Sequence, residues 1–211
     1  NEELALGGDL DTGAYSLTLG AQAACTGAGD VLGTVLRAGP IASGSYCLGN
    51  PNLQITLPPG ATLPSSLGAV LSRGTAPFDG ALLLRYTIEA PGFAGTAGLR
   101  LPYDEGDLNG NDAARLHLWH LANGTWTLQP ATTRGIDGVG KHYVESSGIT
   151  NFSDWTLADG GAPTAVTVAE LGAEVTGGRV RLHWQTASEL ECGGFVVRRS
   201  RSLATRGEKV A

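Results

Sequence analysis

Apolar and polar residues alternate over several short stretches of the chain, and turn-forming residues separate these stretches. The alternation is clearest at 14–19, 53–57 and 82–88. A period of two places successive apolar side chains on one face of an extended strand. Further strands are predicted at 99–101, 115–121 and 126–128. Because turns recur about every ten residues, the pattern predicts an all-β fold built as an antiparallel β-sandwich.

Two of these strands place several apolar residues on a common face. In the first, the shared face carries Tyr15, Leu17 and Leu19. In the second, the shared face carries Leu82, Leu84, Tyr86 and Ile88. No window has an apolar stripe at helical spacing, so 64–71 and 111–114 are each expected to hold at most one short turn of helix.

The strand pattern breaks near 159–163, where Gly, Ala and Pro form a short linker. It resumes at 166–175 and 179–186, and the Gly177–Gly178 pair between them predicts a tight hairpin. A third strand follows at 194–199. Three strands cannot close a sandwich, because a half-built sheet leaves an apolar face and open edges. We therefore divide the chain into an N-terminal β segment (1–49), a β-sandwich (50–160) and a partial second sandwich-like unit (161–211).

Several short motifs in the middle segment belong together. They are 50–55 with its Pro58-Pro59-Gly60 turn, 85–88, 99–103, 107–112 and 148–157. In combination they resemble the ZU5-like and immunoglobulin-like β-sandwich modules of bacterial cell surfaces, over about half of the chain. The resemblance implies display, spacing, adhesion or assembly, and it implies no shared catalytic site.

The two ends of the chain carry further resemblances. The stretches 170–174, 180–191 and 194–198 resemble the opening strands of a fibronectin type III-like domain, which here ends after its third strand. Residues 1–49, with a turn at 8–13, resemble the last coils of a surface β-solenoid. The alternative for these first residues is that they add extra strands to the sandwich.

Composition narrows the choice of compartment and partner. The chain of 211 residues has a net charge of -6, and only 16% of its residues are charged. An acidic chain does not suit nucleic acid as a main partner, since phosphate binding needs a basic face. No apolar run approaches the roughly 20 residues that cross a bilayer. The absence of Met fits an oxidising exterior, so we expect a secreted or cell-surface protein.

The three cysteines do not have the spacing of a metal cluster. Cys25 and Cys47 flank a glycine-rich stretch and are the candidate disulfide. Closing such a loop would add about 3 kcal/mol in the chain-entropy model. The alternative is that both are small buried thiols. Cys192 is left over in either case.

An acidic cluster is the one candidate for a bound ion. Its members are Asp104, Asp107, Asn109, Asn111 and Asp112. Their alternating oxygen ligands partly match a calcium loop, although Asp112 stands where an EF-hand requires glycine. The alternative is a polar turn in which Asp and Asn bind the local backbone. Calcium is therefore the only cofactor considered.

The sequence offers no convincing catalytic set, so no catalytic residue is assigned. His117 and His120 point to opposite faces of a strand and cannot share a metal from it. Gly-x-Ser-x-Gly is absent. Glu189 and Glu191 are interpreted as a solvated strand edge rather than as the carboxylate pair of a glycosidase.

These observations favour a non-enzymatic extracellular structural module, such as a subunit of a cell-surface filament or stalk assembled by β-strand complementation. The predicted assembly strand comprises Phe195, Val196, Val197, Arg198 and Arg199. The predicted core aromatics are Trp155, Phe152 and Trp184. Expected partners are further copies or neighbouring modules of the same surface protein. The alternatives are an adhesin module that binds glycan or protein, and an accessory domain of a larger secreted enzyme.

Overall fold

The computed structural model describes residues 2–129, 132–160, 167–188, 197–199 and 208–209. The protein is all-β, as the alternation predicts. The chain divides into two compact units, Asn1–Pro163 and Thr164–Ala211. Among the residues described, no helix has the length and apolar character needed to cross a membrane.

The first unit begins with two stacked turns of chain. Its first four strands are β1 (Glu3–Leu6), β2 (Leu10–Leu19), β3 (Ala24–Gly27) and β4 (Val31–Arg37). β1 pairs in parallel with β3, and β2 pairs in parallel with β4. Residues 3–19 therefore form one coil, here called coil 1, which lies on coil 2, residues 24–37. The structure thus gives the N-terminal residues parallel coil pairing, while β2 and β4 also join a sheet of the sandwich.

The remaining strands of this unit run antiparallel to their neighbours. They are β5 (Gly44–Cys47), β6 (Gln54–Leu57), β7 (Leu67–Arg73), β8 (Leu84–Glu89), β9 (Ala97–Tyr103), β10 (His117–Ala122), β11 (Thr125–Leu128), β12 (Thr132–Ile136), β13 (His142–Ile149) and β14 (Asp154–Ala158). The larger sheet has the order β11-β10-β14-β8-β7-β4-β2, and the smaller has the order β12-β13-β9-β6-β5. Two short 3-10 helices, Glu105–Asp107 and Ala113–Arg115, lie between β9 and β10.

The core lies between these two sheets, which form a β-sandwich. The alternation in β8 is confirmed, because the predicted set at 82, 84, 86 and 88 is buried. The Tyr86 hydroxyl donates a 2.7 Å hydrogen bond to the Pro102 carbonyl on the opposite sheet. This bond satisfies the one polar group that the buried ring brings into the core.

The structure bears on two further expectations from the sequence in this region. Tyr15 is exposed, whereas Leu19 is buried, because the pairing of β2 with β4 is irregular between Asp11 and Ser16. Gly13, at φ 57°, lies within that irregular stretch. The stretch 64–71 is not helical, since most of it belongs to β7.

A disulfide and a buried arginine fasten coil 2 to the sandwich. Cys25 on β3 and Cys47 on β5 are joined with an S–S distance of 2.02 Å. Beside them, Arg37 at the end of β4 donates to the carbonyl oxygens of Cys47, Gly20 and Ala23. Burial lowers the pKa of Arg37. The guanidinium thus ties the turn between the two coils to β5 through backbone carbonyls, and among the described residues it does so without a carboxylate partner.

Glycines allow coil 1 to lie close to coil 2. A Cβ added at Gly27 would stand 2.0 Å from the Leu6 carbonyl oxygen, and one added at Gly29 would stand 2.1 Å from the Gly8 carbonyl oxygen. Both clashes are with backbone, which cannot move aside as a flexible side chain can. Gly29 also donates its N–H to the Leu6 carbonyl at 3.1 Å.

The described residues of the second unit form a hairpin and one further strand pair. β15 (Thr167–Thr176) pairs antiparallel with β16 (Arg179–Ser188), and the predicted turn at Gly177–Gly178 joins them. Both turn glycines have positive φ, as a two-residue hairpin loop requires. β17 (Arg198–Arg199) pairs antiparallel with β18 (Glu208–Lys209).

The close approach of the coils predicts the cost of a methyl group between them. Gly29→Ala should lower the free energy of unfolding by about 1–3 kcal/mol, because overpacking against backbone forces the coils apart. Gly106→Ala is the matched control, since nothing lies within 4 Å of the added Cβ. Chemical denaturation of both variants measures the difference. Equal stability of the two variants would contradict the close approach.

Candidate functional site

A cluster of charged side chains lies at one end of the first unit. We call it the ionic cluster, and its members are Asp9, Asp30, Arg73, Asp104, Asp107 and Lys141. Asp9 and Asp30 directly precede β2 and β4, and Arg73 ends β7. The other three residues flank the ends of β9 and β13. The fold therefore brings together residues from the coils and from both sheets.

Asp30 lies at the centre of the ionic cluster. Its Oδ2 is 2.5 Å from Arg73 Nη2 and 2.7 Å from Lys141 Nζ. Asp104 bridges the same two cations, with its oxygens 2.7 Å from Lys141 Nζ and 2.8 Å from Arg73 Nη2. Asp9 Oδ2 lies 3.1 Å from Arg73 Nη1. The two cations thus act as bridges between chain segments that are far apart in sequence.

Burial strengthens the electrostatic coupling in this cluster. Asp30 and Lys141 are buried, and within the part of the chain that the structure describes the Oδ1 atom of Asp30 has no hydrogen-bond partner. Burial alone would lower the pKa of Arg73, but the nearby carboxylates, led by Asp30, raise it. Burial raises the pKa of Asp107, which also accepts the Asp104 N–H at 2.9 Å. The cluster is an internal set of ion pairs and not an open set of ligands.

The five residues considered for calcium have two different structural roles. Asp104 and Asp107 belong to the ionic cluster. Asn109 donates to the Ala81 carbonyl at 2.8 Å and Asn111 donates to the Leu108 carbonyl at 2.7 Å, while Asp112 accepts the Ala114 N–H at 3.0 Å. Asn111 and Asp112 thus hold the turn together through its backbone, and Asn109 ties the turn to the segment that precedes β8. Across the described ranges, no three or more His, Cys, Asp or Glu side chains are grouped so that they could hold a metal ion.

A serine that precedes β14 is hydrogen-bonded to a histidine on the neighbouring strand β10 of the larger sheet. Ser153 Oγ lies 2.9 Å from His120 Nε2 and donates to the Leu121 carbonyl at 2.6 Å. A hydroxyl has one proton, so the histidine Nε2 must donate to Ser153 and cannot act as its base. The His120 ring stacks on Trp155 at 4.3 Å. The pair therefore satisfies buried polar groups and is not an activated nucleophile.

A cavity of about 670 Å³ lies beside this pair. Phe93 and Phe152 form its aromatic side, with their ring centroids 5.4 Å apart. Glu89 and Asp154 add acidic groups to its lining. Phe152 is half-buried at this rim, whereas Trp155 lies fully in the core.

The hairpin of the second unit has one apolar and one polar face. Its register places Leu171 opposite Trp184, Ala173 opposite Leu182 and Val175 opposite Val180. Leu171, Val175 and Val180 are 72%, 76% and 64% exposed. The intervening positions form the other face, where Glu174 pairs with Arg181 and Thr176 with Arg179. Exposed apolar patches are frequent at sites of protein–protein contact.

Two predictions from the sequence concern this second unit. Trp184 is 40% exposed and so is not a core residue of the kind predicted, because the hairpin supplies only one layer. In the predicted assembly strand, Phe195 and Val196 lie outside the described residues. Val197 is half-buried, and Arg198 and Arg199 pair with Lys209 and Glu208.

Sequence reasoning missed the residues at the centre of the ionic cluster. Asp30, Arg73 and Lys141 stand apart in sequence and belong to no motif. One signal was present, since Gly8-Asp9-Leu10 recurs as Gly29-Asp30-Val31 at an interval of 21 residues. The structure pairs Leu10 with Val31, so the repeat marks equivalent positions of the two coils.

Comparison with known proteins does not place the chain in a family. No protein-family model matches it, and no curated protein or solved structure matches it significantly.

The ionic cluster predicts a large effect of removing its central charge. Asp30→Asn should lower the free energy of unfolding by about 3–5 kcal/mol, because Arg73 and Lys141 would stay buried without a full counter-charge. Asp79→Asn, at an exposed position, is the matched control and should stay within about 0.5 kcal/mol of the parent. Urea denaturation at neutral pH measures both. A small effect at Asp30 would show that the cluster is not a stabilising junction.

Burial of His120 predicts a stability that falls on acidification. Burial lowers the pKa of His120 in the folded protein, so the unfolded chain binds this proton more readily. Its contribution is complete above the unfolded pKa, about 6.5, and is lost as the pH falls towards the folded pKa. His120→Gln should therefore show a shallower loss of stability between pH 7 and 5. Denaturation at pH 7.5 measures the packing cost of the substitution separately, and an unchanged slope would refute the assignment.

Proposed function

We propose that this chain is a non-enzymatic structural module of the cell exterior, a subunit of a filament or stalk assembled by β-strand complementation. The observation that carries the proposal is the apolar face of the β15–β16 hairpin, whose residues 171, 175 and 180 are mostly exposed. A two-stranded hairpin is at best marginally stable alone, and burial of apolar surface is the main driving force for association. The occupant is a second copy of the chain.

The chemistry of the second unit supports this occupant. In strand complementation, backbone hydrogen bonds give affinity and alternate side chains fill an apolar face. The segment 195–199 carries Phe195, Val196 and Val197 before two arginines. A neighbouring copy would supply this segment, and its apolar side chains match the uncovered face of the hairpin. Head-to-tail contacts of this kind extend into filaments when the rotation between neighbouring copies does not close into a ring.

The expected compartment rests on the disulfide. Cys25 and Cys47 are joined, and disulfides persist in oxidising surroundings outside the cytoplasm. The low charge content and the absence of Met agree with an exposed, oxidising location. The resemblance to bacterial surface modules supports the same location.

A second candidate function is ligand binding by an adhesin module. The cavity beside Phe93 and Phe152 favours it, because an aromatic wall with nearby carboxylates suits a sugar ring and its hydroxyl groups. Its walls are open and belong to the first unit alone. We rank it second because no deeply buried polar side chain points into the cavity among its described lining residues.

The assembly proposal predicts opposite results for two adjacent substitutions. Val175→Glu places a charge on the apolar face and should abolish assembly, whereas Thr176→Glu places the same charge on the opposite face and should preserve it. Negative-stain microscopy, light scattering and gels of boiled samples report filaments or ladders for the parent. Uniform monomers of the parent, or equal assembly by both variants, would refute the proposal. Monomers would also make the cavity the next site to test.

A further inference from the structure

The outer edge of coil 1 is the open edge of two sheets of the first unit, namely the β1–β3 pair and the larger sheet of the sandwich. In the described part of the chain, β1 pairs with β3 and β2 pairs with β4, and neither has a second neighbour. An unpaired edge presents a row of backbone donors and acceptors, which is a template for another strand. Two such edges lie side by side here, because the Gly7–Asp9 turn connects β1 directly to β2.

Over β1 and the start of β2, each residue of coil 1 pairs with the residue 21 positions later in coil 2, and from Ser16 onward the interval is 18. Glu3 pairs with Ala24, and Leu10 pairs with Val31. At the turn, Asp9 Oδ1 accepts the Asp30 N–H at 2.9 Å, and Leu10 donates its N–H to the Asp30 carbonyl at 2.8 Å. Each coil has the same Gly-Asp-apolar turn. The backbone donors and acceptors that coil 2 presents to coil 1 therefore recur on the outer edge of coil 1. A further coil could bind them there.

Gly8 supplies an independent observation. Gly29, its equivalent in coil 2, must be glycine because the backbone of coil 1 passes over it. At Gly8 an added Cβ would have nothing within 4 Å, and φ at this residue is not positive. Neither packing nor backbone conformation in the described chain requires glycine there. A third coil stacked in the same register would require it, for the reason seen at Gly29.

Equivalent apolar residues of the two coils differ in their exposure, which also indicates that coil 1 can be covered by a further coil. Leu10 is 39% exposed, whereas Val31 at the same position of coil 2 is 3% exposed. The difference arises because coil 1 covers Val31. A further coil would bury Leu10 in the same manner and continue the core across the end of the unit.

We propose that the outer edge of coil 1, formed by β1 and β2, is a docking surface for one further parallel β-coil. The occupant is a strand–turn–strand segment with a Gly-Asp-apolar turn in the register of coil 1 on coil 2. Its Asp accepts the Asp9 N–H, its backbone passes over Gly8, and its apolar residue covers Leu10. Pairing between the same edges of two copies is disfavoured, because residues 2–20 carry Glu2, Glu3, Asp9 and Asp11 and no Lys or Arg.

The experiment supplies this coil within the full chain. A second copy of residues 3–23 is inserted directly before Glu3, with its own Glu3 and Asp11 changed to Gln and Asn so that like charges do not face each other. The melting temperature should rise by about 4 °C or more, and the amide protons of β2 should exchange more slowly. A scrambled insert of the same composition should change neither quantity.

Gly8→Val tests whether the insert raises the melting temperature by docking on coil 1 or by a general effect. The substitution should leave the unextended chain unchanged, since the site is open, but should abolish the gain from the added coil. Gly106→Val, also at an open site, should keep the gain. An insert that exchanges rapidly without raising the melting temperature, or a gain that survives Gly8→Val, would overturn the proposal. Edge-to-edge dimers of the unextended chain that Gly8→Val leaves intact would also overturn it.

Discussion

The buried carboxylate of Asp30 is the point at which the coils and both sheets of the sandwich are joined. It contacts Arg73 from the larger sheet and Lys141 from the start of β13 in the smaller one. The backbone N–H of Asp30 donates a hydrogen bond to the Asp9 carboxylate of coil 1. Desolvating such a charge is costly, so the arrangement is stable only while both cations are in place. We interpret the cluster as fixing how coils and sheets fit together, and double-mutant cycles of Asp30 with Lys141 would measure that coupling.

A different solution is used where β4 ends. There the buried cation Arg37 has no carboxylate partner among the described residues and instead donates to the carbonyls of Gly20, Ala23 and Cys47. The Cys25–Cys47 disulfide ties the same place covalently. Apolar packing between parallel strands is non-directional and by itself permits sliding in register. Hydrogen bonds and charges at the two ends of the coils are directional, so they select one register.

The sequence predicts strands that have one apolar and one polar face. It fails to predict strands that are buried on both faces. β8 alternates cleanly, because Arg85 and Glu89 face outward while its apolar residues face the core. β7 carries mostly small or apolar residues that are buried on both faces, so its alternation disappears and 64–71 could be mistaken for a helical turn. The ionic cluster could not be predicted, because Asp30, Arg73 and Lys141 meet only through long-range topology. Local sequence patterns give no information about such long-range contacts, apart from the repeated Gly-Asp turn.

The two units present surfaces that would associate by different forces. The coil 1 edge is acidic and offers backbone hydrogen bonds with only a few apolar groups, so a matching register decides what can bind there. The β15–β16 hairpin offers a face of Leu and Val side chains, where buried area decides the strength. Hydrogen-bonded edges select their partner more strictly than apolar faces, because an unmatched donor or acceptor is penalised when it is buried. A module with both surfaces can therefore combine a strictly chosen neighbour at one site with a more tolerant contact at the other.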